Sequence, residues 1–262
     1  VRQGSFTFER AFGRAKTPDS VFLLASITKP MTATGLMILV DRGALSLSDP
    51  VQKFIPEFKG GDREAITLRH LLTHTSGLPD QLPENIELRK RHAPLQDFVA
   101  ATCKTPLLFQ PGTKVSYQSM GLLLAAEIAE RITRRPFRDF LRDELFRPLR
   151  MTRTSLGLGG RKIPETMPLQ VDNAPALYGT RENDWNWNSL YWRDLGAPWG
   201  GVHSTAVDVS KLLELFLPSV RRILKPATAA QMISNQTPGL NEPWGLGWMV
   251  KPGTFGRTCS VR

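Results

Sequence analysis

The sequence predicts an α+β fold, with strands at both ends of the chain and helices between them. Near the amino terminus, Phe6 and Phe8 alternate with polar residues inside a hairpin-like stretch, 1–14. Near the other end, two further strand patterns occupy 246–250 and 254–260. The central part of the chain instead repeats apolar residues at helical spacing. These three observations predict a sheet built from both chain ends, with a helical lobe inserted between them.

The predicted helices begin at residues that are typical of helix starts. After Ser26, apolar residues recur three and four positions apart, and Gly43 supplies a stop signal. Thr205 and Asp208 form a pattern like a capping box, in which a side chain at the helix start binds a backbone N–H group of the first turn. In chain order, the predicted starts are Ser26, Asp49 with Pro50, Thr67, Met120 (running to Ile132) and Thr205.

The pattern of strands and helices divides the chain into two lobes of one integrated domain. Residues 1–45 and 200–262 are predicted to form an α/β sandwich lobe, and residues 46–199 a mainly helical lobe. A length of 262 residues is enough for two lobes that share one core.

The bulk composition, 41% hydrophobic and 22% charged, is that of an ordinary globular protein. No apolar run reaches about 18 residues, so no membrane span is predicted. The net charge of +10 attracts polyanions in general, but the basic residues are spread out and no nucleic-acid-binding motif accompanies them. We therefore expect a solvated basic surface and no specific nucleic-acid partner.

The cysteines and the first residues leave the location of the protein open. Cys103 and Cys259 cannot form a disulfide framework, and neither has the spacing of a metal ligand. The sequence starts at Val1 without a signal peptide, and a periplasmic or secreted location and a cytoplasmic one both remain open.

The first candidate for chemistry is the tetrapeptide S-x-x-K, formed by Ser26 and Lys29 at the start of a predicted helix. Residues three apart lie on one helix face, so the hydroxyl and the amine can come within hydrogen-bonding distance. Near the positive end of the helix, and partly desolvated, Lys29 would lose its proton more readily and act as a base toward Ser26. The alternative for the tetrapeptide alone is a capping serine with a solvated lysine. No G-x-S-x-G elbow of an ordinary Ser-His-Asp hydrolase occurs.

Two histidines four residues apart, His70 and His74, have the spacing of a zinc-binding helix. No glutamate follows the first histidine to act as a base, because the intervening residues are Leu71, Leu72 and Thr73. We therefore expect helix packing and loop anchoring for both histidines, and no metal site.

Longer stretches around these residues carry a resemblance to a known family. The stretch 21–33 around the S-x-x-K motif, the stretch 66–79 with both histidines, and the stretch 109–121 resemble the serine β-lactamase and penicillin-binding-protein superfamily. Within it, they are most similar to the class C β-lactamase-like esterase branch. The resemblance implies a β-lactamase-like α+β fold, in which an antiparallel sheet is flanked by helices and carries an inserted helical lobe.

The resemblance also implies roles for residues beyond the first motif. Tyr117 matches the tyrosine of the second family motif and would act as general base and acid, while Ser119 replaces the asparagine two residues later and would contact substrate. The third motif is replaced by Phe255–Ser260, in which Arg257 and Thr258 would bind substrate. The oxyanion hole would consist of the backbone N–H groups of Ser26 and Ser260.

The function implied by the resemblance is that of a serine hydrolase without a cofactor, which cleaves an ester or amide through an acyl-enzyme on Ser26. Carboxylesterase, β-lactamase and D-peptidase activities all fit the same groups, and the branch favours a small ester over a β-lactam or a peptide. Its oligomeric state is open. Trp185, Trp187 and Trp192 are expected to pack a long loop, the alternative being a place at the rim of the substrate site.

An alternative function is that of a catalytically impaired or dead relative used for binding or assembly. Cys259 stands where the third motif has a glycine, and Ser119 lacks the amide of asparagine. The sequence stops at Arg262, before the last strand and helix that the resemblance leads us to expect, so it is expected to be truncated at this end.

Overall fold

The computed structural model describes residues 9–170, 180, 183–217, 223–253 and 256–260. Its helices are α1 (Thr28–Asp41), α2 (Leu68–Leu72), α3 (Asn85–Lys90), α4 (Leu95–Lys104), α5 (Met120–Thr133), α6 (Phe137–Leu141), α7 (Leu190–Leu195), α8 (Ala206–Glu214) and α9 (Pro226–Met232). Its strands are β1 (Phe22–Leu23), β2 (Ser155–Leu156), β3 (Val202–Ser204), β4 (Met249–Gly253) and β5 (Gly256–Ser260).

Two small antiparallel sheets accompany the helices. In the first, β3 lies between β1 and β2, and His203 is opposite both Leu23 and Ser155. In the second, β4 and β5 form a hairpin in which Met249 is opposite Ser260. The predicted α+β fold with an antiparallel sheet and flanking helices is confirmed. The first sheet has a functional consequence, because it joins the backbone just before Ser26 to the segment 200–204.

Helix α1 is the centre of the core and is buried on nearly all sides. It packs against α5 and α6, and its residues Leu36 and Met37 have no solvent exposure. A single cluster of buried apolar residues extends from Leu23 through α1 and α5 to Val250. Such a helix can hold a polar side chain out of water only if partners are supplied, which is the situation of Lys29. The predicted boundaries between the two lobes, at residues 45/46 and 199/200, stay a prediction.

One strand prediction is wrong, and another lies largely outside the described residues. Phe6 and Phe8 lie outside the described residues, and residues 9–14 form no strand. The strand predicted for 246–250 begins only at Met249, because Gly247 has a left-handed backbone with φ of 77°. A Cβ atom at Gly247 would lie 2.5 Å from Cβ of Ala33, so the close approach to α1 requires glycine.

Helix starts follow the sequence more closely. Thr67 and His70 form a reciprocal capping box at α2, with histidine in the place of the usual glutamate. Thr205 accepts the N–H of Asp208 at the start of α8, as predicted. The short helix predicted after Asp49 and Pro50 is a 3-10 helix, Val51–Lys53, and Asp49 does not cap it, because its carboxylate accepts the N–H of Ser46. In the described part of the chain, no helix is long and apolar enough to cross a membrane.

Candidate active site

The backbone turns sharply between β1 and α1, where Ser26 lies. Ala25 has a left-handed conformation with φ of 48°, and the short 3-10 helix Ala25–Ile27 leads into α1 at Thr28. A left-handed conformation costs an alanine about 1–2 kcal/mol. The turn places Ser26, which is partly buried, on the wall of a cavity. The helix predicted to begin at or just before Ser26 is confirmed.

Lys29 lies one turn further and has only 2% of its surface exposed. Its Nζ atom lies 3.0 Å from Oγ of Ser26 and 3.1 Å from the carbonyl oxygen of Trp199, to which it donates. The same atom lies over the ring of Tyr117, 4.6 Å from the ring centroid. The carbonyl oxygen and the aromatic face both attract N–H hydrogens, so a neutral amine keeps its lone pair for the hydroxyl of Ser26.

The environment of Lys29 explains how it can be a base. Burial lowers the pKa of its ammonium from 10.5 to about 8, against the opposing effect of the Asp80 charge. A pKa of about 8 leaves roughly one tenth of Lys29 neutral at pH 7. The alternative of a solvated lysine is wrong, since the side chain is buried.

The carbonyl group that binds Lys29 belongs to the segment 198–202, which is fastened along α1. Thr32 Oγ1 donates to the carbonyl oxygen of Pro198 at 2.6 Å, and Thr28 Oγ1 accepts the N–H of Val202 at 3.0 Å. These two bonds lie on either side of the Lys29 contact along the segment. The acceptor for Lys29 is therefore fixed by the same helix that carries Lys29.

Tyr117 is held by two hydrogen bonds to His74, one on each side of it along the chain. The N–H of Ser116 donates to the carbonyl oxygen of His74 at 2.9 Å, and the N–H of Gln118 donates to its Nδ1 at 3.2 Å. The rings of Tyr117 and His74 have centroids 4.9 Å apart, and Trp244 packs edge-on against His74. His74 thus fixes both the backbone and the ring of Tyr117.

His74 is a buried, neutral residue with a left-handed backbone. Burial, together with the charge of Lys29, lowers the pKa of His74 to about 3. The prediction of loop anchoring is confirmed for His74, and His70 is engaged in the capping box with Thr67. Neither Nδ1 atom is free to bind a metal, and no group of three metal-ligating side chains occurs within the described residues.

Ser119 and Asp80 form a pair that the sequence analysis missed. Oγ of Ser119 donates to Oδ1 of Asp80 at 2.6 Å, and Ser119 is buried while Asp80 is partly exposed. Asp80 comes directly after the segment 66–79 that carries the resemblance. This position next to a recognisable segment was the available signal for Asp80. The contact with Ser119 was not predictable from a local pattern, because it joins residues 39 apart in the chain.

These side chains meet at a cavity of about 270 Å³. Ser26, Lys29, Tyr117 and Ser119, all predicted site residues, line it together. The other residues that line the cavity are Ala25, Asp80, Gln81, Asn85, Arg89, Met120, Trp187, Trp192, Trp199 and Gly200.

The far wall of the cavity is aromatic and contains a buried arginine. The guanidinium of Arg89 lies over the rings of Trp185 and Trp192, and it donates to the carbonyl oxygen of Trp185 at 2.9 Å. Burial lowers the pKa of Arg89 to about 10, so it stays charged at neutral pH. Trp187 and Trp192 stack with centroids 6.0 Å apart while lining the cavity. The sequence analysis gave packing and a place at the substrate site as alternatives for these two tryptophans. Both are observed, since the two indoles pack on each other and also line the cavity.

The third motif lies on a strand, as predicted. Arg257, Thr258 and Ser260 belong to β5, and Cys259 is opposite Val250 of β4. Residues 254 and 255 between the two strands lie outside the described residues. The roles of Arg257, Thr258 and the Ser260 N–H toward Ser26 remain predictions.

The fold and the paired Ser26 and Lys29 define the class of serine hydrolases that carry S-x-x-K on a buried helix. Residues 1–259 match the family model described as Beta-lactamase. The chain therefore belongs to the beta-lactamase family, and the resemblance to the β-lactamase and penicillin-binding-protein superfamily is confirmed.

Relatives in sequence carry the name penicillin-binding protein. Penicillin-binding protein 4 of Amycolatopsis lactamdurans is 33% identical over 260 residues, covering 93% of this chain and 65% of the relative. Penicillin-binding protein 4* of Bacillus subtilis is 33% identical over 162 residues, covering 58% of this chain and 35% of the relative. The chain thus spans less than two thirds of the length of these relatives.

Solved structures of the same family superpose well. A putative beta-lactamase from Bacteroides dorei has a TM-score of 0.72 at 26% identity, covering 95% of this chain and 71% of the other. D-amino acid amidase from Ochrobactrum anthropi has a TM-score of 0.73 at 25% identity, covering 94% of this chain and 71% of the other. An octameric penicillin-binding protein homologue from Pyrococcus abyssi shares the fold, with a TM-score of 0.77 at 22% identity, covering 98% of this chain and 61% of the other.

Proposed function

We propose that this chain hydrolyses the ester or amide of a small carboxylic acid through an acyl-enzyme on Ser26. The observation that carries the proposal is the 3.0 Å contact between Nζ of a buried Lys29 and Oγ of Ser26. A serine hydroxyl is a weak nucleophile, and an adjacent amine with a lowered pKa is one of the ways to activate it.

Acylation begins when neutral Lys29 accepts the proton of Ser26 and Oγ forms a bond to the carbonyl carbon. The carbonyl oxygen takes the negative charge, with the N–H groups of Ser26 and Ser260 as the proposed oxyanion hole. The bond to the leaving alcohol or amine then breaks, and the proton held by Lys29 passes to the leaving group through Tyr117, which lines the same cavity.

Deacylation repeats these steps with water as the nucleophile. Water transfers one proton through Tyr117 to neutral Lys29 while its oxygen forms a bond to the acyl carbon. The bond between the acyl carbon and Oγ of Ser26 then breaks, and Oγ takes the proton back from Lys29 as the acid leaves. The cavity is lined by polar side chains, among them Ser26 and Ser119, that can form hydrogen bonds with this water.

Labelling with a fluorophosphonate tests whether Ser26 is activated. We expect stoichiometric labelling of the wild type, none of Ser26→Ala, and unchanged labelling of Ser48→Ala, in which an exposed serine outside the cavity is removed. If the wild type is not labelled, the alternative of a catalytically dead relative used for binding replaces this proposal.

Turnover of four substrates then separates the activities that the family includes. The panel consists of p-nitrophenyl butyrate, a chromogenic cephalosporin, a D-Ala-D-Ala peptide and a D-amino acid amide. We expect the ester and the amide to be hydrolysed fastest, and the similarity to a D-amino acid amidase supports the amide. Fastest turnover of the cephalosporin would assign the chain to the β-lactamases instead.

A further inference from the structure

We propose that the substrate carries an ammonium group on the carbon next to the scissile carbonyl, and that Asp80 and Ser119 are its acceptors. Amino acid esters and amides are substrates of this class. The proposal rests on the proposed hydrolysis at Ser26 and adds which acyl groups the cavity selects.

The direction of one hydrogen bond decides what Ser119 can offer to a substrate. Ser119 occupies the place of an asparagine, whose amide can both donate and accept. A serine hydroxyl has a single hydrogen, and Ser119 uses it in the bond to Oδ1 of Asp80. What Ser119 offers to the cavity is therefore a lone pair. A substrate group beside it has to be a hydrogen-bond donor, which an ammonium is and an acyl carbonyl is not.

The charge of a carboxylate in the cavity also favours a substrate ammonium. Asp80 is the only carboxylate among the described residues that line the cavity. Its oxygen Oδ1 accepts the bond from Ser119, the carboxylate has further acceptor positions, and the residue is partly exposed. A charge-assisted bond from an ammonium to such a carboxylate is worth about twice a neutral one.

Two basic residues, Lys29 and Arg89, also line the cavity and could repel a substrate ammonium. Lys29 has to be neutral when it acts as a base, so it does not repel a substrate ammonium in the reactive state. Arg89 lies over two indole rings and donates to a backbone carbonyl of that wall. The remaining charge on the side of Ser119 is that of Asp80. When Lys29 is neutral, the cavity therefore presents the negative charge of Asp80 beside Ser119. The indole rings of the tryptophans are then available to contact the substrate side chain.

The test compares three esters that differ only in this group: phenylalanine methyl ester, its N-acetyl derivative and 3-phenylpropionic acid methyl ester. Each is measured as kcat/KM with the wild type, with Asp80→Asn and with Asp62→Asn, which removes an exposed carboxylate outside the cavity. Because the ammonium also activates the ester chemically, the decisive quantity is the change of the ratio between substrates on substitution, in which intrinsic reactivity cancels.

We expect the wild type to prefer the ammonium ester by at least about tenfold, and Asp80→Asn to reduce that preference by about 10- to 100-fold. Asp62→Asn keeps the wild-type ratio. If the ratio is the same in Asp80→Asn as in the wild type, while all three esters are hydrolysed, the proposed ammonium site is wrong and the proposed hydrolysis stands. If no ester is hydrolysed and Ser26 is not labelled, both proposals are wrong.

A pH profile of the wild type gives a second readout that needs no variant. The α-amino group of the substrate loses its proton near pH 8. The kcat/KM of the ammonium ester should therefore rise with deprotonation of Lys29 and fall again above about pH 8, whereas 3-phenylpropionic acid methyl ester shows only the rise. A falling limb that is absent for both esters, or present for both, overturns the ammonium site.

Discussion

The two walls of the cavity are built in different ways. The wall of Ser26 and Lys29 consists of one buried helix and the segment 198–202, joined by short hydrogen bonds from Thr28, Lys29 and Thr32. The opposite wall combines side chains from separate loops, among them Asp80 and Trp187. The first wall contains the proposed reacting groups, and the second contains the groups that we propose to select the acyl chain.

The two walls should therefore respond differently to substitution. Ser26 and Lys29 are three residues apart, so the geometry of one helix brings their side chains together. The groups of the second wall lie largely on loops, in which substitutions should change the cavity without disturbing α1.

Lys29→Met should produce the largest effect, a loss of about 10³-fold in kcat, because the base is removed. The same change should raise the free energy of unfolding by about 1–3 kcal/mol at pH 7, since burial of an ammonium whose pKa falls to about 8 destabilises the fold. Ester hydrolysis and urea unfolding measure both quantities. A loss of activity accompanied by lower stability would contradict the buried-amine explanation.

His74→Ala should lower kcat by about 10- to 100-fold with a smaller change in KM, because Tyr117 loses the contacts that position it. His92→Ala is the matched control, since His92 also has a left-handed backbone but stacks on Tyr191 instead of Tyr117. Steady-state kinetics on one neutral ester compares the two variants. Equal effects of both would show that the left-handed backbone, and not the support of Tyr117, is responsible.

The pH dependence with a neutral ester should be about tenfold between pH 7 and pH 10. The pKa of Lys29 is lowered to about 8, so the active neutral form increases as pH rises through that value. Stability should rise with pH between about 8 and 10.5, because the unfolded chain binds the proton of Lys29 and the folded chain does not. In the activity profile, His74 contributes no inflection near pH 6.5, since its pKa in the folded protein is lowered from 6.5 to about 3. Stability, in contrast, should fall as the pH drops below about 6.5, because the unfolded chain binds the proton of His74 and the folded chain does not. Stability that stays constant in this range in the wild type would contradict a buried, neutral His74.

Trp187→Ala should have the smallest effect, a rise of about three- to tenfold in KM for a phenyl-bearing ester with little change in kcat. The indole supplies apolar surface to the second wall of the cavity. A butyrate ester, which has a shorter acyl chain, serves as the control substrate. A similar rise for both esters would mean that Trp187 supports the cavity as a whole.

The sequence predicted the first wall well and the second poorly. S-x-x-K, the capping residues Thr67 and Thr205 and the long helix from Met120 are local patterns, so spacing alone was sufficient. The bond between Ser119 and Asp80 joins residues far apart in the chain, and no local pattern encodes it. The strand prediction for 246–250 was wrong for the same reason. The requirement for glycine at position 247 comes from its close approach to α1, which is a contact between distant parts of the chain.

The hydrogen bond from Lys29 to the Trp199 carbonyl spans 170 residues of the chain. A newly synthesised or partly denatured chain contains the S-x-x-K tetrapeptide but lacks this acceptor and the burial that lowers the basicity of the amine. The proposed activation of Ser26 would therefore require that the segment around Trp199 has docked on α1. Labelling of Ser26 by an electrophile should then report on the folded state of the chain as well as on its reactivity.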